Sequence, residues 1–307
     1  MNPAPITKEL LERSVIAVPP LARDENLVID RSENRRMIEF LERGGVTTLL
    51  YGGNAVFYHI ALSEYAGLLE SLAADSGDNT TVIPSVGPSY GLMMDQAAVV
   101  RDLGYPTVML LPQDAIATSS GITTGTRRFA EAFGKPIVLY IKHDRYLAPA
   151  QVRSLVDDGL VSAIKYAVVR DDPADDVYLR EIIDAVGTDL IVSGIGEQPA
   201  IVHLRDFGLT GFTAGCICVA PELSMKMLAA IQAGRYDEAE SIREMFVELE
   251  DLRDNINPIR VLHEAVALAG IAKTGPITPL LGPITPAEAA RVQTAVDRLQ
   301  RTSAFPG

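Results

Sequence analysis

One lysine in this 307-residue chain stands where covalent chemistry is easiest to arrange. Lys165 ends an apolar run that begins Val161-Ser162-Ala163-Ile164 and continues as Tyr166-Ala167-Val168-Val169. Apolar surroundings disfavour an ammonium, so they lower the lysine pKa and free the amine to attack a carbonyl. The bland alternative is a lysine that snorkels to solvent from a strand end. A neighbouring run, 137–140, ends on Tyr140. Side chains two apart on a strand share a face, which groups Ala163 with Lys165 and Val138 with Tyr140. If both faces look into one interior, an amine and a phenol meet there. That pair suits Schiff-base chemistry. The amine adds to a 2-keto acid and water leaves. The iminium then serves as electron sink for carbon–carbon cleavage, aldol addition or dehydration, while the phenol shuttles protons. Such a scheme requires neither cofactor nor metal.

Two loops could hold the substrate. In Tyr51-Gly52-Gly53-Asn54-Ala55 the glycines let backbone N–H groups near Gly53 and Asn54 approach a carboxylate closely, although a plain turn has the same composition. Ile141-Lys142-His143-Asp144-Arg145 offers Arg145, whose fork can grip a carboxylate with two parallel hydrogen bonds; a solvated charged loop is the alternative. The histidines His59, His143, His203 and His263 show no pair at metal-ligand spacing. Cys216 and Cys218, two apart in a strand-like segment, read as small buried side chains of one face rather than as a redox pair.

Those residues need a scaffold, and the chain supplies a repeating one. Strand-like runs at 15–18, 47–51, 81–85, 107–111, 137–140, 161–165, 189–193 and 211–214 alternate with helical patterns. Tyr65, Leu68, Leu69 and Leu72 recur at i, i+3, i+4 and i+7, one face of a helix; Met37, Ile38 and Leu41 do the same one unit earlier. Eight such units predict an α/β fold, a (β/α)8 TIM barrel with a parallel sheet, whose functional residues sit at the C-terminal strand ends. A doubly wound sheet is the main alternative, but no G-x-G-x-x-G opens the first helix. After Pro221 three helical stretches follow, 236–252, 258–269 and 286–302, the last opened by the capping box Thr285-Pro286-Ala287-Glu288. The expected division is a barrel over 1–222 and a C-terminal helical domain over 223–307. Thr118-Ser119-Ser120-Gly121 reads as a loop leading to a helix cap.

The formal net charge of −13 argues against nucleic acid as a partner. No apolar run is long enough for a membrane helix, and no signal-like segment opens the chain, so a cytoplasmic protein without a membrane partner is expected.

At this level of detail the chain resembles the pyruvate-dependent class I aldolases of the dihydrodipicolinate synthase and N-acetylneuraminate lyase group, over nearly its whole length. Ala163-Ile164-Lys165 is similar to the family's G-I-K, whose lysine forms the Schiff base, and Val138-Leu139-Tyr140 to the strand ending in the catalytic tyrosine. Arg145 falls five residues after that tyrosine, where synthases place a substrate-carboxylate arginine. Ser193-Gly194 matches the S-G pair after strand seven, the segment from Gly211 to Pro221 the glycine-containing eighth strand, and Asn257-Pro258 the N-P of the C-terminal domain. The resemblance thus implies catalytic Lys165 and Tyr140, with Gly53, Asn54, Arg145, Gly194 and Thr213 as substrate-binding residues. It also implies a homotetramer built as a dimer of dimers. Three departures stand out. The family's G-T-T-G-E is here Gly52-Gly53-Asn54-Ala55-Val56, the tyrosine pair after strand four is replaced by Pro112-Gln113-Asp114, and Y-N-x-P is Tyr140-Ile141-Lys142-His143. An amide cannot relay protons as a threonine hydroxyl does. The expected function is a Schiff-base-forming lyase, aldolase or dehydratase, acting on pyruvate or a longer, sugar-acid-like 2-keto acid. The alternatives are dihydrodipicolinate synthase itself, condensing pyruvate with aspartate semialdehyde, and a barrel that binds keto acids without turnover.

Overall fold

Strands that are apolar on both faces need cover on both, which a parallel barrel supplies with side chains inside and helices outside. The computed structural model describes residues 1–303 and adopts that solution. Eight parallel strands close in sequence order: β1 (Ile16–Ala17), β2 (Thr48–Tyr51), β3 (Thr81–Val86), β4 (Met109–Leu110), β5 (Ile137–Ile141), β6 (Val161–Tyr166), β7 (Ile191–Ser193) and β8 (Gly211–Ala214). Helix α1 (Lys8–Arg13) precedes β1. The helices that alternate with and follow the strands are α2 (Arg31–Arg43), α3 (Leu62–Asp75), α4 (Tyr90–Asp102), α5 (Ser119–Phe133), α6 (Pro149–Asp157), α7 (Val177–Val186), α8 (Ala200–Asp206) and α9 (Pro221–Gln232). Each expected strand is present; β8 matches its expected bounds, and the others are shortened or lengthened by one or two residues at an end.

Register decides which side chains fill the interior. Ser85, Met109, Val138 and Ala163 are successive partners across β3 to β6, and one level higher Tyr140, Lys165, Val192 and Gly211 are partners across β5 to β8. The opposite faces carry Tyr51, Leu139, Ile164 and Phe212, all buried against the helices. On the helices, Tyr65, Leu68, Leu69 and Leu72 of α3 and Met37, Ile38 and Leu41 of α2 are buried, so the 3.6-residue spacing does mark their inward faces. Thr118 caps α5, its hydroxyl accepting from Gly121 N at 3.1 Å.

Three helices make the appendage: α10 (Tyr236–Asn255), α11 (Pro258–Leu268) and α12 (Pro286–Ser303). The capping box at the start of α12 is formed, with Thr285 N donating to Glu288 Oε2 at 2.7 Å and Glu288 N to Thr285 Oγ1 at 3.3 Å. Asn257 caps α11 by accepting from Ile259 N and Arg260 N. The boundary expected at 222/223 falls inside α9, the helix that completes the eighth β/α unit. Residues 304–307 of the expected domain lie outside the described residues. Helix α10 packs on α9, α11 and α12 and reaches α8 and the turn after β8. That turn, Cys216–Cys218, corrects one expectation: the two cysteines are fully buried, but on a 3-10 turn rather than on one face of a strand. Among the described residues, no helix is long and apolar enough to cross a membrane.

Candidate active site

The C-terminal ends of β5, β6 and β7 bring the amine, the phenol and a carbonyl together. Lys165 Nζ donates to the Gly194 carbonyl at 3.0 Å and sits 4.1 Å from the centroid of the Tyr140 ring. Lys165 is only 5% exposed, so it does not snorkel. Burial pulls its pKa down to about 7, helped by the positive charges of Lys142 and Arg253. Tyr140 is pushed up to about 12 by burial, with Asp114 adding to the shift. At neutral pH the pair therefore holds an amine that is substantially unprotonated beside a phenol that keeps its proton.

Gly194 follows β7, and its position tolerates no side chain. A Cβ there would lie 2.7 Å from Ala167 Cβ and 2.7 Å from the Tyr166 carbonyl oxygen. The residue before it, Ser193, faces outward and its hydroxyl meets His203 Nδ1 of α8 at 2.8 Å. The serine thus ties the strand to its helix, while the glycine presents the carbonyl to the amine.

The loop after β2 keeps an open edge of backbone donors. The N–H groups of Gly53, Asn54 and Ala55 donate to no acceptor among the described residues. Asn54 Nδ2 donates to the Val18 carbonyl at 2.9 Å, so its side chain braces the end of the first strand. Thr213 stands on the inner face of β8, buried, with Ile16 as its partner across β1.

Arg145 is not brought to this group. Its backbone takes a left-handed φ of 58°, its Nη2 donates to Glu181 Oε1 at 3.1 Å, and its guanidinium lies 5.2 Å from the centroid of the Tyr178 ring. A fork already filled by a carboxylate of α7 has little left for a substrate. The residues that do surround Tyr140 include Tyr58, Tyr146 and Asp114; the Asp114 charge helps raise both tyrosines. Burial raises Tyr58 and Tyr146 alike. Sequence reasoning passed over both, although Tyr146 lies six residues after Tyr140 and Tyr58 four after Asn54. Tyr140 and Tyr146 also line a cavity of about 900 Å³ that runs toward Thr118 and Arg128 on α5 and its cap.

Behind the Gly194 loop lies a buried acid pair. Glu250 Oε1 accepts from Glu197 N at 2.9 Å, and Glu197 Oε1 accepts from Ser224 Oγ at 2.9 Å. Glu197, Glu250 and Cys216 are all buried with potential ligand atoms within 4.8 Å of one another. Arg253, on α10 one turn after Glu250, already supplies a positive charge to all three. Burial pushes both carboxyls up toward their protonated forms, which reduces the charge enclosed in the cluster.

Two measurements check these electrostatics. The rate of Lys165 modification by an amine-reactive reagent, read by peptide mass, should rise with pH and level off above an apparent pKa of about 7. A midpoint near the ordinary 10.5 would mean a solvated amine. For the acid pair, burial raises both Glu197 and Glu250 above the usual carboxylate range, and their mutual repulsion raises Glu250 further. The folded chain then holds more protons than the unfolded chain at neutral pH, so stability falls as pH rises above the carboxylate range. Between pH 5 and 8 the wild-type Tm should lose ground to that of Glu250→Gln; parallel Tm curves would refute the upward shift of the pair.

The same architecture recurs among known proteins. The Dihydrodipicolinate synthetase family matches residues 13–301. A probable 5-dehydro-4-deoxyglucarate dehydratase of Rhizobium meliloti is 22% identical, covering 98% of this chain and 100% of that protein. A 4-hydroxy-tetrahydrodipicolinate synthase of Methanopyrus kandleri is 29% identical over 88% of this chain and 80% of its own length. Among solved structures, dihydrodipicolinate synthase from Bacillus clausii superposes with a TM-score of 0.85 at 19% identity, covering 95% of this chain and 99% of that one. The barrel, the appended helices and a family match spanning nearly the whole chain agree: this protein belongs to the dihydrodipicolinate synthetase family of lyases.

Proposed function

We propose that the protein is a Schiff-base lyase that takes a 2-keto acid, with dehydration of a longer sugar-acid-like substrate favoured over aldol cleavage or synthesis. The observation that carries the reading is the buried Lys165 amine, 3.0 Å from the Gly194 carbonyl and against the Tyr140 ring. In the scheme, the amine adds to the C2 carbonyl and water departs, leaving an iminium. A proton leaves C3, the resulting enamine expels the C4 hydroxyl as water, and hydrolysis returns the product and the free lysine. Tyr140 carries the protons, and the open N–H groups of Gly53, Asn54 and Ala55 receive the C1 carboxylate. Thr213, on the inner face of β8, contacts the bound substrate.

Dehydration is supported by the names of several relatives and by the segment Pro112-Gln113-Asp114, which carries no tyrosine. The synthase reading draws on relatives of that name but needs another group in place of those hydroxyls. The same reading includes a cytoplasmic homotetramer arranged as a dimer of dimers, supported by the family resemblance. Light scattering should give four times the chain mass, and a monomer would count against it.

Trapping tests the chemistry. Incubation with pyruvate and sodium borohydride should give a stable adduct, located by peptide mass at Lys165 and absent from Lys165→Ala. Tyr140→Phe should slow turnover by about 10²-fold or more while Lys165 remains in place. Failure of pyruvate and of every longer 2-keto acid to give an adduct sinks the lyase reading, and an adduct without multiple turnover points to a binding barrel.

A further inference from the structure

The appendage sends one arginine toward the barrel mouth, and its partners are missing. Arg253 lies in the last turn of α10. Its Nε donates to the Pro258 carbonyl at 3.3 Å, and Nη1 has only Cys216 Sγ at 3.9 Å. Among the described residues Nη2 donates to nothing, and no carboxylate stands within ion-pair reach. Shortage of acids is not the reason, since the chain has 40 acidic residues against 27 basic ones. Most of its other arginines are spoken for: Arg145 by Glu181, Arg170 by Asp176 and Asp144, Arg243 by Glu240. An enclosed guanidinium kept without a carboxylate leaves planar, two-pronged donor capacity unused.

The position of that fork is set by the residue that follows β8. A Cβ on Gly215 would lie 2.8–2.9 Å from Nη2, Cζ and Nη1 of Arg253. The guanidinium therefore rests flat on the bare backbone at the C-terminal end of the barrel. Its field is one of two, with that of Lys142, that reach Lys165 and lower the affinity of the amine for a proton. Arg253 also lines a cleft of about 500 Å³ with Val168, which follows β6, and Ile195, which follows Gly194. Four arginines of the cleft lining, Arg253 among them, match its four acids, so an arriving anion meets no net negative wall.

We infer that Arg253 is a specificity-determining residue of this site, and that its open edge, seated on Gly215, receives the far carboxylate of a dicarboxylic 2-keto acid bound through Lys165. This inference rests on the Schiff-base reading above and names the substrate class for it. The geometry assigns to the C-terminal domain the role that the position of Arg145 first suggested for the loop after β5.

The test compares two 2-keto acids of equal carbon number in the borohydride trap, using the full-length protein. 2-Oxoglutarate carries a far carboxylate and 2-oxopentanoate a far methyl group. Wild type should reach half-maximal labelling of Lys165 at a concentration of 2-oxoglutarate at least ten-fold below that of 2-oxopentanoate. Arg253→Met should remove most of that ratio and Arg253→Lys should restore part of it. Gly215→Ala, which displaces the guanidinium without removing it, should reduce the ratio as well and serves where Arg253→Met does not fold. Pyruvate labelling of wild type at Lys165 separates the two levels of the argument. If pyruvate labels and the ratio is near one, or is unchanged by these substitutions, the role of Arg253 is overturned alone. If no keto acid labels Lys165, the Schiff-base reading falls and takes this inference with it.

Discussion

Keeping one amine neutral and dry is the constraint around which this molecule is organised. An amine at the end of β6 would be an ordinary ammonium if water could reach it. Barrel closure removes the water, since each inward side chain around Lys165 comes from a strand with covered partners on both sides. Gly194 then gives the amine a single acceptor, a neutral carbonyl, and not a carboxylate that would stabilise the charged form. Lys142 and Arg253 push in the same direction as burial. Burial and the charges of Lys142 and Arg253 thus all lower the proton affinity of one group, as at sites that hold a nucleophile near neutrality.

The appended helices take part in that arrangement. The loop that carries Gly194 continues through Ile195 and Gly196 to Glu197, whose N–H and carboxyl are fixed by Glu250 of α10 and Ser224 of α9. A Cβ at Gly196 would lie 2.0 Å from Glu250 Oε1, so the acid of α10 presses directly on the loop backbone, which itself has a φ of 118°. A buried acid pair is an expensive way to join two elements unless a proton and a cation accompany it. The upward shift of both carboxyls and the charge of Arg253 meet that requirement. The helices after the barrel therefore brace the Gly194 loop from behind, while Arg253 rests on Gly215 after β8.

Much of this was legible in the chain, and the reasons differ by element. Parallel strands are buried on both faces, so β2, β3, β5 and β6 read as continuous apolar runs, and turn glycines mark their ends. Lys165 and Tyr140 stood out because a period of two places side chains by counting alone. Counting fails where the backbone leaves regular structure. Arg145 adopts a left-handed φ and meets a glutamate on α7, and Cys216 and Cys218 sit on a 3-10 turn, so neither orientation follows from spacing. Arg253 and Glu250 read as ordinary polar positions of an amphipathic helix. Their partners, Gly215 and Glu197, lie far away in sequence, and only the packing of α10 across the end of β8 brings them together.

The electrostatics also suggest how one phenol can serve as both acid and base. In the free site Tyr140 holds its proton firmly, because burial and Asp114 oppose a phenolate. Imine formation alters that balance. While the imine nitrogen is protonated, a positive charge stands where Lys165 Nζ lay, against the Tyr140 ring. A cation at that range favours the phenolate. In the proposed scheme Tyr140 therefore becomes a competent base only after the substrate is attached, and it regains its hold on the proton when hydrolysis releases the lysine. Water loss at one end of the cycle and proton abstraction at the other are coupled through a single change of charge. The departures after β2 and β4 are compatible with this, because a phenol switched by the imine depends less on a threonine or a second tyrosine to draw its proton away.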